Sequence, residues 1–121
     1  MTRPVGPYTP IVRAGDLLIT SGQLGLAAAP DGTSSLVEGG TTAQLAQALA
    51  NGAALLAGEG AAPTDIVKAT VYLTDMAEFA AVNEVWVAFF GEHRPARTAI
   101  GVAALPLGAT VEVELLAHCP R

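Results

Sequence analysis

Two stretches of helical spacing flank one eight-residue run of strand character, and this order constrains the fold more than any other feature of the chain. Thr41-Thr42-Ala43-Gln44 reads as a capping box, in which hydroxyl and amide satisfy each other's orphan backbone donors. Behind it Leu45, Ala48, Leu49, Gly52 and Leu55 or Leu56 recur at three- and four-residue steps. That predicts a helix with one buried stripe, ending at Gly58 or Gly60. Gly52 on the stripe costs about 1 kcal/mol against Ala, and it permits close packing on a sheet. Pro63-Thr64-Asp65 reads as a loop. Ile66, Val67, Ala69, Val71 and Leu73 then mark a strand, which Thr74-Asp75 stops. Phe79, Val82, Trp86 and Phe89 or Phe90 return to helical steps before Gly91.

Shorter runs complete the pattern. Residues 11–13 and 17–21 form a hairpin around Ala14-Gly15-Asp16, with Gly15 supplying a positive φ. Residues 27–40, with Pro30-Asp31-Gly32 and Gly39-Gly40, read as a loop. Residues 98–103 are a strand segment, 104–108 a turn and 109–117 a final strand. Strands alternating with single helices predict an α+β or α/β sheet with the helices on one face. The 121 residues fit one domain, 1–121.

Hydrophobic residues make up 51% of the chain, and its mean hydropathy is +0.45. No apolar run reaches the ~20 residues of a membrane helix. Met1-Thr2-Arg3-Pro4 lacks the apolar core of a signal peptide, so the expectation is a cytoplasmic protein. A domain this small has too much surface for its volume to hide so many apolar groups. A homo-oligomer is expected, the alternative being a lone domain with an Ala-rich surface. The net charge is −5 and only six Lys and Arg are present, which argues against a nucleic-acid partner. Cys119 is the only cysteine, and an inert thiol is expected there. His93 and His118 lack ligand-like spacing, so no metal site is expected.

Charged residues are scarce, at 14% against about 25% in an ordinary domain. Those that interrupt apolar segments therefore stand out. Arg97 lies in Arg94-Pro95-Ala96-Arg97-Thr98, fifteen positions before Glu112. An arginine fork grips a carboxylate by two parallel hydrogen bonds, and a glutamate can hold and polarise water. A pocket for a small carboxylic acid is one reading. In the other, Glu112 and Glu114 lie on a solvated sheet face, and Arg97 is an edge arginine paired with Glu92 or water. Asn83 is mildly unfavourable inside a helix, although an exposed position would explain it. Tyr8 suits a core or interface as well as a site. Gly22 allows close backbone approach, or simply a turn after a strand. No Ser-His-Asp set, phosphate loop or cofactor fingerprint is present.

Taken together, several blocks resemble the RidA family (YjgF/YER057c/UK114). They are Gly6-Pro7-Tyr8-Thr9, Leu18-Ile19-Thr20-Ser21-Gly22-Gln23, Asp65 to Leu73, and Phe79-Ala80-Ala81-Val82-Asn83. Phe89-Phe90, Pro95-Ala96-Arg97-Thr98, Ala104-Leu105-Pro106 and Val111-Glu112-Val113-Glu114 follow in family order. The resemblance implies a chorismate mutase-like fold, a mixed sheet with two helices on one face, assembled as a homotrimer with clefts between subunits. It implies hydrolysis of 2-enamine and 2-imine acids such as 2-aminoacrylate to 2-keto acids and ammonia, without a cofactor. By position, Arg97 would bind the substrate carboxylate and Glu112 would position water. Tyr8 and Asn83 would line the cleft, and backbone at Gly22 and Ala99 would orient the ligand.

The chain departs from the family pattern at four places. Ala99 stands where cysteine is common, Trp86 where tyrosine is usual, and Pro10 where a donor-bearing residue is common; residues 91–94 form a shorter segment. A non-catalytic small-carboxylate-binding or sensing member of the same fold is the alternative. Endoribonuclease activity is a weaker one.

Overall fold

The structure, a computed structural model, describes residues 6–121. Met1-Thr2-Arg3-Pro4, read above for a signal peptide, lies outside them. The first hairpin forms as expected: β1 (Ile11–Ala14) pairs antiparallel with β2 (Leu17–Thr20). Gly15 takes a φ of 61° in the turn.

Residues 27–40 are not the plain loop expected. β3 (Leu26–Ala28) and β4 (Ser34–Leu36) form a small antiparallel sheet of their own. The turn signals were sound, since Gly32 has a φ of 86° and Asp31 Oδ1 accepts from the Thr33 backbone N–H. What hid the strands is their length of three residues each.

The first helix, α1 (Gly40–Gly58), follows, and its capping box is absent. Gly39 occupies the N-cap in a left-handed conformation, with no side-chain cap. The hydroxyls of Thr41 and Thr110 lie 2.7 Å apart instead, and Gln44 Oε1 accepts from the Thr110 backbone N–H. Both side chains are buried. A tertiary partner thus replaces the local cap, and it pins the helix start to the chain just ahead of the last strand. The expectation for Gly52 holds: a Cβ there would sit 2.6 Å from Leu115 Cδ1.

Pro63–Asp65 is a short 3-10 turn, with Asp65 Oδ2 accepting from the Ala62 N–H. Next come β5 (Ile66–Leu73), α2 (Phe79–Phe90) and β6 (Ala96–Gly101). β6 starts and ends two residues earlier than the apolar run suggests. It pairs parallel to β5 from Lys68↔Ala96 to Leu73↔Gly101, so its partner fixes its limits. A further 3-10 turn, Pro106–Gly108, leads into β7 (Val111–His118).

The main sheet runs β1-β2-β7-β5-β6, mixed in direction. One face is the core. Leu18, Val71, Val113 and Leu115 pack there against Leu45, Leu49 and Leu56 of α1 and Val82 and Trp86 of α2. Each fully buried leucine contributes roughly 1.5–3 kcal/mol. The other face carries no helix among the described residues. Val12, Ile19 and Ile100 on it are 40–48% exposed.

Candidate functional site

Strand alternation in β7 sends Val111, Val113, Leu115 and Ala117 into the core. Glu112 and Glu114 consequently share the open face, each half-buried. Tyr72 of β5 lies directly opposite Glu112 in register, and its hydroxyl donates to Glu114 Oε1 at 2.6 Å. Glu114 is thereby engaged, while the Glu112 carboxylate has no hydrogen-bond partner among the described residues. This separates two glutamates that periodicity alone could not rank. Burial pushes the Glu112 carboxyl above its ordinary value, and the Glu114 charge adds to the push. Tyr72 is raised to about 12, first by the hydrogen bond to Glu114, then by burial and the two carboxylate charges.

Gly22 belongs to the same half of the site. Gln23 and Val113 exchange two backbone hydrogen bonds, at 2.7 and 3.0 Å, which brings Gly22 beside Glu112. A Cβ at Gly22 would lie 2.1 Å from Glu112 Oε2. A glycine leaves the carboxylate the space that any side chain would take. Ser21 ties the segment before β1 alongside: its Oγ donates to Thr9 O and its N–H to Pro10 O. Tyr8 sits at the start of that segment, 42% exposed.

Arg97 lies on the other side of the sheet. It pairs in register with Ala69, whose side chain is in the core. Its guanidinium carbon lies 5.3 Å from the Phe79 ring centroid and 5.2 Å from that of Trp86. It does not pair with Glu92 or any other carboxylate among the described residues. Asn83 lies on the same stripe of α2, four residues after Phe79 and three before Trp86. Its Oδ1 is buried without a hydrogen-bond partner among the described residues, a state that costs about 1–3 kcal/mol. Ala99 follows two residues on, on the same side of β6 as Arg97 and half-buried. β6 is the end strand of its sheet, so one backbone edge of the Ala99 strand has no partner strand among the described residues.

The chain therefore holds two separate clusters. Across β5, Arg97 aligns with Leu115. Glu112 is three residues further along β7 and two strands away, so each offset is roughly 10 Å, with the side chains on opposite faces. A three- or four-carbon acid cannot touch both heads within one chain.

Sequence reasoning missed Tyr72 and Phe79 as site neighbours and treated Trp86 as a helix-stripe position and a family departure. A polar Asn83 within the Phe79–Trp86 stripe was the available signal. Among the described residues no helix is long and apolar enough to cross a membrane.

A family model described as endoribonuclease L-PSP matches residues 1–119. A RutC family protein of Pyrococcus horikoshii is 39% identical over 96% of this chain and 90% of its own. A protein of Capra hircus named 2-iminobutanoate/2-iminopropanoate deaminase is 42% identical over 93% of this chain and 80% of its own. The crystal structure of RidA from the Antarctic bacterium Psychrobacter superposes with a TM-score of 0.88 at 42% identity, covering 97% of this chain and 92% of that one.

Proposed function

Since this chain belongs to the endoribonuclease L-PSP family, which includes the RidA proteins, we propose that it hydrolyses small 2-imino acids to 2-keto acids and ammonia. The observation that carries this reading is Arg97: a guanidinium held against two rings, with no carboxylate partner among the described residues. Such a fork suits the carboxylate of a small acid. The relative in Capra hircus, named for imine deamination, supports the same substrate class.

The two clusters meet between copies. The β6 edge of one protomer, with Arg97 and Asn83, faces the open sheet side of the next, with Glu112, Gly22 and Tyr8. A homotrimer closes three such clefts. The exposed Val12, Ile19 and Ile100 on the open face support burial against a neighbour.

The chemistry needs little. The imine carbon is already electrophilic, so the site must fix the acid, place water and move a proton. Arg97 holds the carboxylate. Glu112 takes a proton from water as its oxygen bonds to the carbon of the protonated imine, giving a neutral carbinolamine. Glu112 then returns that proton to nitrogen, and as the C–N bond breaks the hydroxyl proton passes back to Glu112, so that the carbonyl forms and ammonia leaves. A carboxyl with a raised proton affinity is suited to both halves of that transfer. No cofactor takes part. RNA is a poor substrate on this reading, because the chain has only six Lys and Arg and a net charge of −5.

The test is decay of 2-iminopropanoate generated by an amino-acid oxidase. Wild type accelerates it, and Arg97→Ala loses about a hundredfold, as expected for two charge-assisted hydrogen bonds. Equal acceleration by both proteins rejects the reading.

A further inference from the structure

We propose that Phe79 and Trp86 are positioning residues, whose ring faces aim the Arg97 guanidinium while leaving its N–H donors to the substrate. This rests on the role given to Arg97 above.

A free arginine side chain samples many rotamers, about 2 kcal/mol of entropy, and a site that binds with it must first order it. A carboxylate partner would order it but would consume the donors that the substrate needs. Aromatic faces attract the cation through the ring quadrupole, within about 6 Å of the centroid, without accepting from its N–H groups in the guanidinium plane. Arg97 has such contacts at 5.2 and 5.3 Å and no ion pair among the described residues. The rings are themselves held. Trp86 is 4% exposed and packs on Phe90, with ring centroids 4.8 Å apart. Phe79 follows directly on a 3-10 turn whose start is fixed by Asp75 Oδ1 accepting from Ala77 N–H. An arginine stem merely lying over apolar core would also approach rings, and the experiment separates the two cases.

Phe79 is only partly buried, so Phe79→Leu is the milder variant. Its KM for 2-iminopropanoate rises about fivefold, the worth of one partly exposed cation–π contact, with kcat within about twofold because the same contact serves ground and transition state. Phe79→Tyr, which keeps a ring, restores KM. Trp86 is the only tryptophan in the chain, so its emission gives a second readout that needs no turnover. Arg97→Ala shifts the wild-type emission, and pyruvate changes it saturably only when Arg97 is present.

A wild type that turns over imine while Phe79→Leu keeps its KM overturns the positioning role and leaves the deaminase reading intact. A wild type without activity overturns the deaminase reading; emission then decides, and identical spectra for wild type and Arg97→Ala overturn the positioning role as well.

Discussion

The two faces of the sheet obey the same two-residue alternation and do opposite work. The helix-covered face is complete within one chain: Leu18, Val71, Val113 and Leu115 all find partners in α1 and α2. The open face is incomplete. Its isoleucines and valine are exposed, and the Glu112 carboxylate has no hydrogen-bond partner among the described residues. Arg97 belongs in register to the covered side and Glu112 to the bare one. One face answers to stability, the other to whatever approaches it. A binary pattern of apolar and polar residues shows both faces and cannot say which job each has.

Two glycines three positions apart make the sharpest contrast. A Cβ at Gly25 would lie 2.5 Å from the Cα and carbonyl oxygen of Gln44, which are helix backbone and cannot step aside. Gly25→Ala should cost about 3 kcal/mol or more, beyond ordinary overpacking, seen as a lowered midpoint in urea. A midpoint at the wild-type value would mean that this side yields more readily than its packing indicates.

The next test concerns whether the faces come together between chains. Arg97→Ala and Glu112→Ala should each be inactive as homogeneous proteins. Co-expressed in equal amounts, they should regain about a quarter of wild-type activity, because a ring of heterologous contacts pairs an intact arginine with an intact glutamate at that frequency. No recovery would break the assignment of the two heads to different copies.

Gly22→Ala should leave the midpoint nearly unchanged and reduce turnover about tenfold, by pushing aside only the end of a flexible side chain. A loss of stability as large as that of Gly25→Ala would erase the distinction between the two positions.

The smallest effect is the pH dependence of Glu112. Its folded pKa is raised by burial and by Glu114, so its stabilising contribution is full below the unfolded value of about 4.3 and is lost as pH rises through the folded value. Glu112→Gln should therefore melt about one to three degrees above wild type at pH 7, and the gap should close as pH falls toward 4. A gap that widened on acidification would show that the carboxylate is favoured by its surroundings, contrary to the burial seen here.

The covered face was readable because helical and strand periods report burial directly, as the stripes through Leu45 and Trp86 show. Small elements escaped: three residues of β3 carry too little pattern to distinguish from loop. The Thr41–Gln44 capping box failed for another reason, since the same donors and acceptors found Thr110, which is distant in sequence. At the site, residue types and family order pointed to Arg97 and Glu112. Their separation on opposite faces depends on strand register, which is a tertiary fact. The engagement of Glu114 by Tyr72 depends on the same register across β5 and β7.

The crossover through α2 has a bearing on how such a protein can diversify. Phe79, Asn83, Trp86 and Arg97 lie within one contiguous stretch of nineteen residues, so the cassette proposed to grip the anion travels as a unit. Glu112 and Gly22 are ninety positions apart and meet only when the chain's two ends are knitted by the Gln23–Val113 bridge. On the proposed reading, new substrate preferences can thus arise by editing one short segment, while the half assigned to hydrolysis stays under the guard of the whole fold.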